Sequence, residues 1–149
     1  MAYCTQKEII KLLPEELLIQ LTDDENLKPA AIDPRAREHR PMRKRISEAI
    51  STADAEINGY CAERYSVPFQ APISPIVKGL SVEIAIYYLH ARRTTVPEDI
   101  IKRYDKAILR LKDIARGLMS LDIDDAPKSD TAYTESQPRL FTREKMRGF

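Results

Sequence analysis

Three kinds of side chain in this sequence have the chemistry to act on a substrate or hold a metal: two thiols, two imidazoles and two runs of acids. The thiols, Cys4 and Cys61, form neither a CxxC pair nor a metal-ligand spacing. They read as reduced cysteines packed as small apolar residues. His39 and His90 are far apart in the chain. His90 falls near a helix end, where an imidazolium would suit the dipole, and both imidazoles read as structural or solvated. The acids Asp23-Asp24-Glu25 and Asp122–Asp125 are dense enough to attract a cation. A calcium loop, however, alternates its ligands and contains a glycine, and neither run does. HExxH, GxxxxGK[ST], GxSxG and GxGxxG are all missing. The sequence therefore predicts no catalytic, cofactor-binding or metal-binding residue, and no enzyme.

Two further groups carry charge and apolar surface. Arg35, Arg37 and Arg40 lie in a proline-rich stretch, and Arg43, Lys44 and Arg45 open the helix that follows, with Glu38 the only opposing charge among them. Cations at a helix N-terminus oppose its dipole. Their placement there points outward, to DNA phosphates or an acidic partner, against the plainer alternative of a solvated loop. The second group ends the sequence: "PRLFTREKMRGF", Pro138–Phe149. Leu140, Phe141, Met146 and Phe149 alternate there with Arg139, Arg143 and Arg147. Apolar anchors with a cationic rim have the composition of an interface, and fold-back onto the chain's own helices is the competing expectation.

The elements that must position these groups are helices. Thr5 with Glu8 forms a capping box for a short helix with Ile9, Leu12 and Leu13 on its apolar side. Pro14 ends it and opens "PEELLIQL", with Leu17, Leu18 and Leu21 inward. Leu27–Pro41 has three prolines and no period, and reads as loop. Met42–Tyr65 repeats Ile46, Ile50, Ala53, Ile57, Tyr60 and Arg64 by threes and fours, one face of a helix. The prolines of "SVPFQAPISP" end it. Ser74-Pro75 starts a helix to about Arg93, with Val77, Leu80, Ile84, Tyr87, Tyr88 and Ala91 as a stripe widened by Ile76, Ile86 and Leu89. So much apolar circumference marks a central helix. A last helix follows Thr95 or Val96 as cap, with Ile101, Tyr104, Ile108, Leu111 and Ala115 inward. Glu98→Lys102 and Asp99→Arg103 are spaced for i,i+4 pairs, and Gly117 is a stop. The helical tyrosines, Tyr60, Tyr65, Tyr87, Tyr88 and Tyr104, suit core packing with a hydroxyl at an edge rather than ligand stacking. After Leu121, "DIDDAPKSDTAYTESQ" is polar, acidic and aperiodic.

These elements predict an all-α fold: a small antiparallel bundle of three long helices and short N-terminal ones over residues 1–121, then a linker and docking arm over residues 122–149. Composition agrees. The 149 residues carry 43% hydrophobic and 32% charged side chains with only 4 glycines, enough for one core. The net charge of +1 argues against a dedicated polyanion binder. No apolar run approaches the ~20 residues of a membrane span, and no basic-then-apolar leader is visible, so a cytoplasmic protein is expected.

Several segments in linear order resemble a known family. "MAYCTQKEIIKLLPEELLIQLTDDE", "ADAEINGYCAERY", "VPEDIIKRYDKAILRLKDIARG" and "RLFTREKMRGF" are similar to the Mu-like phage head–tail connector proteins, adaptors that complete the head. Leu27–Arg45 departs most from that pattern. The resemblance implies a structural, non-enzymatic virion protein of the neck, made in the host cytoplasm. It implies a ring, typically of twelve copies, on the portal protein, extending the DNA channel and presenting a surface to the next neck or tail-completion protein. The partners implied are the portal, neighbouring copies and DNA passing non-specifically, with no cofactor and no membrane. The terminal segment, Arg139, Leu140, Phe141, Arg143, Met146, Arg147 and Phe149, would then grip the portal or a neighbour. The loop carrying Arg35, Arg37, Arg40, Arg43, Lys44 and Arg45 would face the channel or a partner. A small helical DNA-binding regulator is the alternative. It is disfavoured by the +1 charge and by a turn between the first two helices that holds Pro14 and two acids instead of glycine.

Overall fold

The computed structural model describes residues 1–93, 95–121 and 123. Among them are five helices and no strand: α1 (Gln6–Ile10), α2 (Glu15–Thr22), α3 (Arg40–Cys61), α4 (Pro75–Ala91) and α5 (Glu98–Arg116). The expected all-α bundle of three long helices and two short ones is the fold observed.

α1 starts where its capping box predicts. The Thr5 backbone N–H donates to Glu8 Oε2 at 2.8 Å. Ile9 and Leu13 are buried, but Leu12 is 50% exposed. The helix ends at Ile10, so the turn before Pro14 swings Leu12 outward. In α2, Leu18, Ile19 and Leu21 are buried and Leu17 is only partly so.

α3 begins at Arg40, two residues before the expected Met42, because Pro41 occupies the first turn, where no backbone N–H is required. It ends at Cys61, and Arg64 and Tyr65 continue as turns onto the Cys61 carbonyl. In the following loop the Val67–Pro68 and Ala71–Pro72 bonds are cis. Phe69 is buried there between the rings of Tyr3 and Tyr65, at centroid distances of 5.6 and 6.1 Å.

α4 is central, as its wide apolar circumference requires. It packs against each of the other four helices. Ile84, Leu89, Ile57, Leu111 and Ile114 are fully buried, each contributing about 1.5–3 kcal/mol of apolar burial. Ile76 and Ala91, expected inward, lie at its exposed ends.

α5 is rotated from expectation. Its buried residues are Ile100, Ala107, Leu111 and Ile114, whereas Ile101 is 40% exposed. Two apolar rows flank the shared Tyr104–Leu111 row. The helix is seated on Ile100–Ala107–Ile114, leaving Ile108 and Ala115 half-buried. Its cap is Pro97, in an extended conformation, not Thr95 or Val96. Glu98 pairs with Lys102 at 2.6 Å. Arg103 turns away from Asp99 to Glu83 of α4, with bonds of 2.7 and 3.0 Å.

Gly117 ends α5 with φ +80°, and the Leu118 N–H closes the turn on the Asp113 carbonyl at 2.8 Å. A Cβ on Gly117 would clash with the Arg64 guanidinium. Gly117→Ala is therefore expected to cost about 1–2 kcal/mol, chiefly from the left-handed backbone. Urea unfolding should show a lower midpoint with an unchanged m-value.

Candidate partner-binding surfaces

The basic run does not present a uniform positive face. Arg45 reaches the end of α2, donating to Glu25 at 2.6 and 2.7 Å and to the Thr22 carbonyl at 2.7 Å. Arg92 joins from the end of α4, bonding Asp24 at 2.6 and 3.1 Å and the Leu21 carbonyl at 2.7 Å. Arg93 donates to the Asp23 carbonyl at 2.7 Å and pairs with Asp24 at 2.8 Å. Three arginines thus satisfy the terminal carbonyls of α2, which carries no basic residue in its own last turn. Arg43 donates to the loop carbonyls of Asp33 and Ala36 at 2.7 and 2.9 Å. Lys44 is mostly exposed and sits 3.6 Å from Glu48. Arg35, Arg37 and Arg40 are exposed. Of the six cations marked for DNA or a partner, two hold the subunit's own backbone.

Asp24 and Glu25 are therefore partners for arginine, and the Asp23 carboxylate accepts the Leu27 and Lys28 N–H groups at 3.0 and 2.8 Å. Backbone N–H groups of Lys28, Leu27 and Asn26, with Arg93 nearby, hold the Asp23 carboxyl below the usual range. Hydrogen bonds from Arg92 and Arg45 do the same for Asp24 and Glu25. A carboxyl depressed by folding stabilises above its unfolded value near ~4, and that stabilisation is lost as pH falls through the folded value. Wild type should melt above Asp24→Asn at pH 6, and the gap should close on acidification below pH 4. A gap independent of pH would contradict the clasp.

A second cluster lies inside. The Asp54 carboxylate accepts the Tyr3 backbone N–H at 2.9 Å and the Ser81 hydroxyl at 2.6 Å. The Cys4 sulfur sits 3.2 Å from Ser81 Oγ. Since that hydroxyl proton goes to Asp54, the thiol donates to Ser81. Burial pushes both Cys4 and Cys61 up to about 11, so both stay protonated and buried, as expected of packed thiols. The Tyr3 hydroxyl donates to Asn58 Oδ1 and accepts the Phe69 N–H at 2.9 Å. His39 Nδ1 accepts the Asp33 N–H at 2.9 Å, and His90 Nδ1 lies 2.9 Å from the Ile86 carbonyl. Each imidazole has a structural partner.

Sequence inspection missed Tyr3, Asp54 and Ser81. A signal was available: Asp54 stands four after Ile50 and three before Ile57, and Ser81 four after Val77, so both are polar residues on apolar stripes.

Between α3, α4 and α5 lies a third cluster. Tyr87 stacks on Tyr104 at 3.9 Å. Tyr88 and Tyr104 donate to the two oxygens of Glu56 at 3.0 and 2.9 Å. Desolvation and the Glu56 charge raise both phenols. As expected, these rings pack with their hydroxyls at an edge.

Elsewhere between α4 and α5 a groove of about 420 Å3 opens. Ile76, Leu80, Ala107 and Met119 make it apolar, and Lys106 and Arg110 stand on its rim. The terminal residues Arg139, Leu140, Phe141, Arg143, Met146, Arg147 and Phe149 lie outside the described residues, as do Asp122, Asp124 and Asp125.

A family model, described as bacteriophage Mu, Gp36, matches residues 3–139. The chain belongs to the Gp36 family of phage Mu. The match takes in all five helices, the loop between α2 and α3, and the acidic stretch after Leu121. It stops at Arg139, so Leu140–Phe149 lies beyond it. No curated protein matches the chain. As a Gp36 family member it is a phage protein, and among its described residues no helix is long and apolar enough to cross a membrane.

Proposed function

We infer that this chain is a head–tail connector subunit, which forms a ring beneath the portal, extends the DNA channel and offers a docking surface to the next neck protein. The observation that carries this is the Gp36 family match across the whole bundle, together with the resemblance of its segments to phage adaptors. The bundle is suited to the role. Its core is closed by a central α4, leaving the exposed loop cations for neighbours. Arg139, Leu140, Phe141, Arg143, Met146, Arg147 and Phe149 are assigned to the portal or an adjacent copy, with the aromatic residues burying apolar area and the arginines meeting acidic groups. Arg35, Arg37, Arg40 and Lys44 are assigned to the channel or a partner. A near-neutral chain lets DNA slide where dense cationic charge would retain it.

Co-sedimentation with the cognate portal tests this. The full chain should travel with the portal, and the chain lacking Pro138–Phe149 should not. In a gel shift at ~100 mM salt, little binding to short duplex DNA is expected, because the phosphate contacts available are few. Tight duplex binding with no portal binding would favour the regulator alternative, for which Arg43 and Arg45 are already engaged by the fold.

A further inference from the structure

Gly79 stands in the interior of α4, where glycine costs about 1 kcal/mol relative to alanine. Nothing within the described subunit requires it. Its φ is ordinary, and a Cβ built there would meet no atom within 4 Å. Gly79 instead lines the α4–α5 groove, beside Ile76, Leu80, Ala107 and Met119. Missing side-chain volume at that point deepens an apolar slot whose walls are otherwise aliphatic.

The rim of the slot is cationic. Arg103 is neutralised by Glu83 at 2.7 Å. Lys106 and Arg110 are exposed and, among the described residues, have no acid within 4.0 Å. An occupant should therefore combine one large apolar or aromatic group with flanking negative charge.

The chain carries such a segment, and it departs from beside the groove. Met119 lines the slot. Leu121 is buried, its N–H donating to the Tyr65 hydroxyl at 3.0 Å. The sequence then runs through "DDAPKSDTAYTESQ", Asp124–Gln137. It holds Asp124, Asp125, Asp130 and Glu135 against the single cation Lys128, and one aromatic residue, Tyr133. From Ile123 to Tyr133 the chain can span up to about 33 Å, ample to return to a groove that Met119 already lines. The terminal stretch Pro138–Phe149 is the poorer fit. Arg139, Arg143, Lys145 and Arg147 would face Lys106 and Arg110 with like charge.

We propose that the α4–α5 groove receives the chain's own segment Asp130–Glu135. Tyr133 fills the space above Gly79, and Asp130 and Glu135 pair with Lys106 and Arg110. The acidic stretch is then a tether with a fixed anchor, and Pro138–Phe149 starts from a defined edge of the bundle. Tyrosine suits the slot, with its ring in the apolar floor and its hydroxyl toward the polar rim.

Two full-length variants test it. Tyr133→Ala should move the backbone amide resonances of Gly79, Ala107 and Arg110, and leave those of Arg92 at the far end unchanged. Gly79→Phe fills the slot from within a helix that tolerates the side chain, so the fold should be retained. Amide exchange at residues 130–135 should then rise about tenfold, the equivalent of losing ~1.4 kcal/mol of contact. Unmoved groove resonances in Tyr133→Ala, or exchange unaffected by Gly79→Phe, would overturn the proposal. So would groove shifts in wild type that vanish on dilution, which would hand the slot to a neighbouring copy's segment. The connector reading stands apart from these outcomes, since a portal ring can assemble with the groove empty, and the groove can be filled in a chain that binds no portal.

Discussion

Tyr3→Ala is expected to destabilise the subunit by about 4 kcal/mol, close to the cost of other aromatic truncations in a core. That should lower the melting temperature by roughly 10–15 °C for a chain of this size. Tyr3 stands before the first helix, outside any regular element, where substitution is ordinarily tolerated. Here its ring is 2% exposed and packs on Phe69. Its hydroxyl ties Asn58 of α3 to the Phe69 N–H of the α3–α4 loop, and its backbone N–H meets Asp54. Tyr3→Phe separates these contributions. The ring remains and only the hydroxyl goes, leaving the buried Phe69 N–H without its acceptor, for about 1–2 kcal/mol. Calorimetry showing equal losses for both variants would mean that the hydroxyl, not the ring, holds the N-terminal segment. A loss below ~1 kcal/mol for Tyr3→Ala would mean that the segment is not part of the core.

Asp54→Ala should cost about 3 kcal/mol, since two donors lose a charged acceptor in a buried site. The Tyr3 N–H and the Ser81 hydroxyl are those donors, and the Cys4 thiol leans on the same hydroxyl. Ser81→Ala alone should cost less, because Asp54 keeps the Tyr3 bond. The double variant should fall short of the sum of the two, as expected for residues sharing one network. Strict additivity in urea unfolding would show that Asp54 and Ser81 act independently. The carboxylate joins the N-terminal segment, α3 and α4 at one point, a role for which a lone apolar residue would lack direction.

The helices were legible because their apolar residues recur at three and four, and because Thr5–Glu8, Ser74-Pro75 and Gly117 mark their ends. What was not legible has physical causes. α5 carries two apolar rows on either side of Tyr104 and Leu111, and only packing against α3 and α4 decides between them. Asp99→Arg103 had the right spacing, yet Glu83 offers two oxygens to the same guanidinium from another helix. Arg45 looked free because its partners, Asp24 and Glu25, come from a helix end some twenty residues earlier. Arg92 and Arg93 were unremarked for the same reason. The carbonyls of Leu21, Thr22 and Asp23 at the end of α2 create a demand that no local pattern announces. The α4–α5 groove is likewise a product of packing, although Gly79 inside a strong helical pattern was the visible trace of it.

The proposed connector role makes this bundle a ring subunit that assembles on a portal. Electron microscopy of the full chain mixed with its cognate portal tests it most directly. A closed ring of this protein stacked coaxially on the portal is expected, with density from the C-terminal segment reaching the portal surface. Portal particles that remain bare at saturating concentrations of a folded subunit would contradict it.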